Sequence, residues 1–212
     1  MKQDLLDAAS RYYSERIRRY GPTAKGVDWN DVESQNERFE QLASLFPEQR
    51  PFSINDIGCG YGALLEFLAA RGSNVDYRGY DISNDMIQAA RSRHVARRNA
   101  VFSLGSCASE AADYSVASGI FNVKGDASDG DWLDYIHGTL DDMDRFSVRG
   151  FGFNCLSTHS DVSRRRADLY YADPQQLFDR CMTRYARNVR LLHDYGLYEF
   201  TLLVRKNLRP HP

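Results

Sequence analysis

The distribution of apolar and polar residues divides the chain at about residue 50. Before it the sequence is polar and helical in character, in the stretches LLDAASRYYSERIRRY and DVESQNERFEQLASLF. The second sets Phe39, Leu42, Leu45 and Phe46 on one face, the spacing of a helix packed on one side. Between them GPTAKGVDW carries Gly21, Pro22 and Gly26, helix breakers that predict a loop. From Phe52 onward short apolar runs alternate with amphipathic ones. FSINDIG reads as a strand ending in glycine, and YGALLEFLAARG as a helix closing on Gly72. VDYRGYDIS predicts a second strand, and SNDMIQAARSRHVARR a helix capped by Ser83 or Asn84. AVFSLGS and DYSVASGIF predict two more strands, with room between them for only a turn or two of helix. Helix DGDWLDYIHGTLDDMDRF, strand RGFGFNCLS and helix DPQQLFDRCMTRYARN follow, the last with Pro174 in its first turn. The final stretch, VRLLHDYGLYEFTLLVRK, predicts a hairpin turning tightly at Tyr195-Gly196.

Strands alternating with helices define an α/β architecture: a doubly wound, mainly parallel sheet of seven strands, helices on both faces. The terminal hairpin adds one antiparallel strand. Residues 1–50 form an N-terminal helical cap and residues 51–212 the core, together one domain of a size that buries a proper hydrophobic centre.

Composition narrows the function classes. No apolar run approaches a membrane span, and MKQDLLDAAS lacks the apolar core of an export signal, so a cytoplasmic protein is expected. A net charge of −2 gives no electrostatic reason to expect nucleic acid. Cys59, Cys107, Cys155 and Cys181 are far apart and show no metal-ligand spacing, so they read as isolated thiols and no metal is expected.

The densest chemical signal is NDIGCGYG, residues 55–62, between a strand and a helix. Such a turn presents backbone N–H groups and a helix N-terminus to a ligand. Gly58, Gly60 and Ala63 satisfy the dinucleotide pattern GxGxxG/A, and Asp81 closes the next strand, where a ribose would bond. A plain tight turn is the competing reading. Asp56, two residues before the first glycine, argues against a pyrophosphate, which a carboxylate would repel, and suits a ligand carrying an ammonium and a sulfonium.

With YRGYDISNDMIQAAR following it, NDIGCGYG resembles the first two motifs of class I S-adenosylmethionine-dependent methyltransferases, in their small-molecule branch. The likeness extends over about residues 35–207. It implies a Rossmann-like methyltransferase fold, S-adenosyl-L-methionine as cofactor and S-adenosyl-L-homocysteine as product. Carried over by position, Gly58 and Gly60 would approach the methionine part, with Asp56 near its amino group. Asp81 would accept from the ribose hydroxyls, and Ile82 would pack on adenine. Ser106 and Cys107 stand where the family often has an acid beside the adenine amine. Ser118 would lie at the cofactor after the fourth strand. Arg38 resembles the arginine that pairs the methionine carboxylate in several members.

The acceptor is expected beyond the carboxyl ends of the fourth and fifth strands. Candidate contacts there are Phe121 and Asn122, with His159 as the expected base and His193 second. The long loop STHSDVSRRRADLYYADP offers Arg164 and its neighbours for a carboxylate or phosphate, and Tyr171 as a pocket wall. Tyr20 and Trp29 would close the site from the N-terminal segment. His94 reads as part of a surface helix and His137 as partly buried. The leading expectation is methyl transfer to a small, polar metabolite, an anionic one or a sugar intermediate included, with oxygen favoured over nitrogen. A non-catalytic cofactor-binding or regulatory protein is the alternative; a nucleic-acid or protein methyltransferase is less favoured, the former because SGIF stands where amino-methylating nucleic-acid enzymes carry a proline pair. A monomer or homodimer is expected.

Overall fold

The computed structural model describes residues 2–48 and 50–206; the expected core boundary at residue 212 lies outside the described residues. Two helices open the chain, α1 (Lys2–Tyr20) and α2 (Val32–Ala43), separated by a 3-10 turn over Ala24–Val27. Strands and helices then alternate: β1 (Phe52–Ile57), α3 (Ala63–Ala70), β2 (Val75–Asp81), α4 (Asn84–Arg93), β3 (Ala100–Leu104) and β4 (Ala112–Ala117). They continue with α5 (Asp129–Arg145), β5 (Ser147–Leu156), α6 (Pro174–Arg184), β6 (Asn188–Leu192) and β7 (Glu199–Arg205). The seven strands form one sheet in the order β3-β2-β1-β4-β5-β7-β6. All neighbours pair in parallel except β7, which runs antiparallel to both β5 and β6.

Caps set the helix starts. Asp31 accepts from Ser34 N at 2.7 Å, Ser83 from Met86 N at 3.3 Å, and Asp173 from Gln175 N at 2.8 Å ahead of Pro174. Each sheet face has its own core. Leu42, Leu64, Leu65, Leu68 and Ile87 cover one face from α2, α3 and α4. Trp132, Ile136, Leu140, Leu177 and Cys181 cover the other from α5 and α6. Helix α1 packs on α4 instead, with Tyr13 and Ile17 against Tyr61 and Met86, and so lies over the end of β2.

Three local expectations are corrected. β4 ends at Ala117 rather than running through Phe121, because Gly119 adopts φ 82° and turns its N–H to Asn154 Oδ1 on β5 at 2.9 Å. The terminal hairpin is not tight: residues 193–198 form an open connection. Its Tyr198 carbonyl accepts from Ser157 N at 2.9 Å and from Ser160 Oγ at 3.2 Å, so the loop after β5 takes bonds that a closed turn would use. His94 does not belong to a surface helix face. It caps α4 at 5% exposure, stacks on Phe102 and holds Nε2 3.1 Å from the Gly62 carbonyl.

Candidate active site

The turn after β1 is a backbone device. Gly58, Gly60 and Gly62 all have positive φ (74°, 55° and 84°), a region that costs other residues about 1–2 kcal/mol. At Gly58 space is decisive as well, since a Cβ would fall 2.0 Å from Ile120 Cγ2. Gly58 N and Cys59 N both donate to the Tyr80 carbonyl, at 2.7 and 3.0 Å, which fixes the turn against the end of β2. Gly60 N donates to Asp81 Oδ2 at 2.9 Å, and Ser83 N to Asp81 Oδ1 at 2.8 Å. Helix α3 then starts from Gly62 with no side-chain cap.

Two carboxylates face the resulting cavity, which encloses about 1000 Å³ including its open mouth. Asp56, 3% exposed at the end of β1, accepts from the Tyr77 hydroxyl. Burial pushes its carboxyl up to about 7, opposed by that hydrogen bond and reinforced by the charge on Asp81. Burial also raises Asp81, to about 6, while the backbone donors of Ser83, Gly60 and Ile82 pull it back. Neither acid forms an ion pair among the described residues. Among the described residues the cavity lining contains no lysine, arginine or histidine. Two buried acids facing space with no protein cation make a site suited to a cationic ligand.

Helix α1 roofs this space. Leu5, Ala9 and Tyr13 line it, and Ser10 Oγ donates to the Ile82 carbonyl at 3.0 Å. Trp132 and Tyr135 of α5 supply a second aromatic wall, with Trp132 held by its Nε1 donating to the Phe121 carbonyl at 2.8 Å. Burial raises the Tyr135 phenol to about 12 and the Tyr13 phenol further, so both stay neutral at physiological pH. Trp29 follows Asp28, a non-glycine residue at φ 64°, and packs where a Cβ on Gly119 would stand.

Of the residues expected at the site, Asp56, Gly58, Gly60, Asp81, Ile82, Ser106, Ser118 and Trp29 line this one cavity. The others lie elsewhere. Arg38 makes a two-point ion pair with Glu199 of β7, at 2.8 and 2.7 Å, and stacks on Trp29 with 3.9 Å from guanidinium carbon to ring centre. Asn122 joins the same pair by donating to Glu199 Oε1 at 3.3 Å. Phe121 is fully buried in the core against Phe153. Cys107 is exposed beside Ser106 and borders a separate small hollow. Tyr20 and Arg164 are exposed, and the Tyr171 hydroxyl accepts from Arg166 N within its own loop. His159 is exposed and sits by His193, ring centres 5.9 Å apart, away from the cavity lining. Among the described residues no group of three His, Cys, Asp or Glu is arranged to hold a metal ion.

The sequence reading missed the roof and the back wall. A signal was present in α1: Leu5, Ala9, Tyr13 and Ile17 recur every four residues, one face of a helix.

Comparison with known proteins gives the family. The family model described as a methyltransferase domain matches residues 55–142, from the glycine turn through most of α5. The protein named "Putative methyltransferase Rv1506c" of Mycobacterium tuberculosis (strain ATCC 25618 / H37Rv) is 58% identical over 156 residues, 74% of this chain and 94% of that one. The chain belongs to the class I S-adenosylmethionine-dependent methyltransferases, and it is an enzyme of that family. Among solved structures, magnesium protoporphyrin IX methyltransferase (ChlM) from Synechocystis PCC 6803 with bound SAH superposes at a TM-score of 0.67, 13% identical, covering 97% of this chain and all of that one. The DhpI-SAM-HEP complex superposes at 0.68, 15% identical, covering 95% and 98%. The human N-acetylserotonin methyltransferase (ASMT) in complex with SAM gives 0.64 at 16% identity, covering 97% of this chain and 60% of that one. At such identities the likeness is one of fold. S-adenosylmethionine is the cofactor of the family, and the residues present fit it: an open glycine turn and two unpaired buried acids face one cavity. No helix among the described residues is long and apolar enough to cross a membrane.

Proposed function

We propose that the protein transfers a methyl group from S-adenosylmethionine to the hydroxyl of a small, uncharged acceptor held in the same cavity. The observation that carries this reading is the continuity of that cavity. One side is the glycine turn with Asp56 and Asp81, and the other is the apolar and aromatic surface of Leu5, Ala9, Trp132 and Tyr135. Bound there, the cofactor supplies an already activated methyl group. The chain's own part is to hold the acceptor in line, exclude water and accept or relay a proton where one must leave.

The roof formed by α1 favours a small molecule over a polymer. The arginine run expected to bind an anionic acceptor lies outside the cavity lining, whereas two acids lie inside it. An anionic acceptor would meet repulsion there, so an uncharged body is the better fit. The hydroxyls of Tyr13, Tyr135 and Ser118 are available to orient an acceptor oxygen, the phenols as neutral donors. We assign Asp81 to the cofactor ribose, Ile82 and Ser106 to its adenine, and Gly58, Gly60 and Asp56 to its methionine end.

Calorimetry with S-adenosylmethionine, S-adenosylhomocysteine and NAD tests the cofactor, and labelled-methyl transfer to a panel of phenols, alcohols and anionic metabolites tests the acceptor. Micromolar binding of the first two and label in a neutral hydroxyl compound are expected. Binding of NAD alone would overturn the cofactor reading, and label found only in the anionic members of the panel would overturn the uncharged acceptor.

A further inference from the structure

Arg38 and Gln35 stand one turn apart on α2, and the structure gives them opposite situations. Every nitrogen of the Arg38 guanidinium is engaged: Nε and Nη2 by Glu199, and Nη1 by the Ser34 carbonyl. The charge that would attract a carboxylate is neutralised by one already in place, only 1% exposed. Gln35 is 4% exposed and lines the cavity. Its Oε1 accepts from the Tyr61 hydroxyl at 3.3 Å, while its amide nitrogen has no partner among the described residues. Because Gln35 lines the cavity, that nitrogen is left open to whatever the cavity holds, and an acceptor placed there would complete its bonding.

Its position says what that acceptor is. Tyr61 lies inside the glycine turn, between Gly60 and Gly62, so Gln35 is fastened to the start of α3. The first N–H groups of that helix have no side-chain cap, and they too favour a negative group. Asp56 and Asp81 occupy the sites suited to a cation and to hydroxyls. What is missing from the protein around the turn is an acceptor, and the methionine carboxylate of the cofactor is one.

We propose that Gln35, oriented by Tyr61, is the side chain that receives the carboxylate of the cofactor's amino-acid end. Arg38 is a positioning residue, which ties α2 to β7 through Glu199 and presents its cation to the back of Trp29. This rests on the assignment of S-adenosylmethionine to the cavity, and the ligand pair below separates the two ideas.

The test is calorimetry of the full chain with S-adenosylhomocysteine and with 5′-methylthioadenosine, which keeps adenine, ribose and sulfur but has no amino-acid end. Gln35→Ala should weaken S-adenosylhomocysteine about tenfold or more, the loss of a hydrogen bond to a charged group. It should leave 5′-methylthioadenosine within about twofold, since no lost contact reaches it. Tyr61→Phe, which frees the amide to rotate, should shift the same ligand in the same direction by a smaller factor. A Gln35→Ala protein that binds S-adenosylhomocysteine like the wild type overturns the assignment, as does one that weakens both ligands equally. Should Gln35→Ala not fold, Gln35→Glu keeps the shape and replaces the donor by an acid, and it must discriminate against S-adenosylhomocysteine in the same way. Wild-type protein that binds neither ligand defeats the cofactor assignment itself.

Discussion

The two ends of the cavity behave differently as objects of inference. At the β1–β2 end Asp56, Gly58, Gly60, Asp81 and Ile82 were named from sequence and all line one space. At the β4–β5 end Ser118 was named and lines it, but Phe121, Asn122, Arg164, Tyr171 and His159, named from the same sequence, do not. The first group is bound into place by backbone geometry within a short run: a glycine with positive φ can only turn, and a carboxylate in the last two residues of a strand can only sit near its tip. The second group depends on how a long loop and a roof helix settle, which no local pattern encodes. Predictions that separate the two ends therefore test both the assignment and its explanation.

The sharpest break comes from glycine. Gly58→Ala and Gly72→Ala impose almost the same φ, 74° and 75°, but an added Cβ meets Ile120 at the first and nothing within 4 Å at the second. Gly72→Ala should cost only the conformational penalty, about 1–2 kcal/mol in urea unfolding. Gly58→Ala adds displacement of Ile120 from the cavity wall, and calorimetry should show no measurable binding of S-adenosylhomocysteine. Equal behaviour of the two variants would mean that the turn is shape alone and not a close approach to ligand.

Next in size is Asp81→Ala. It removes a charge-assisted acceptor assigned to the ribose, and releases the N–H groups of Gly60 and Ser83. Calorimetry should show about 1–3 kcal/mol less affinity. Unchanged affinity would remove Asp81 from the cofactor site.

Asp56 gives the same end a signature in pH. A carboxyl in the unfolded chain titrates near 3.9, and in the folded chain burial lifts Asp56 to about 7 and Asp81 to about 6. The folded state thus holds protons that the unfolded state releases, and stability should fall as pH rises from about 4 through about 7. Binding of a ligand with an ammonium group runs the other way, since it is attracted to the ionised acid. Affinity for S-adenosylhomocysteine should rise across the same interval, with proton release into the buffer. Asp56→Asn should flatten both slopes. A stability profile that instead climbs through pH 6 would contradict the unpaired state of these acids.

The legible part of the fold followed the same division. The alternation of strands and helices, the cap at Ser83, Pro174 in the first turn of α6, and the antiparallel last strand all rest on periodicity or on one residue's local bonding. His94 was misread as surface because its burial depends on Phe102, a residue of the next strand. The hairpin was drawn too tight because Tyr198 bonds across to Ser157, which the hairpin's own sequence cannot show. The roof lay between these cases. The four-residue spacing of Leu5, Ala9, Tyr13 and Ile17 marks an apolar face, but what it covers is decided by Ser10 reaching Ile82 and by Ser14 meeting Ser83 Oγ at 2.8 Å.

The smallest effect belongs to the residue that sequence reasoning favoured most as a base. His159 follows a strand end, the place where α/β enzymes gather their chemistry. Its backbone N–H is bonded to Ser157 Oγ at 3.1 Å, and its ring faces His193 at an exposed edge. His193 is lowered from its ordinary value, by burial first and by the charge of His159 second, as expected of a close pair of like groups on a surface. A general base has to reach the proton it removes, directly or through one water, and His159 does not line the space in which the acceptor would sit. His159→Ala should therefore leave cofactor affinity unchanged and methyl-transfer turnover within about twofold, because no transition-state contact is removed. A hundredfold fall in turnover with intact affinity would show that the loop after β5 swings inward in the working enzyme. The two ends of the cavity would then differ in mobility rather than in membership.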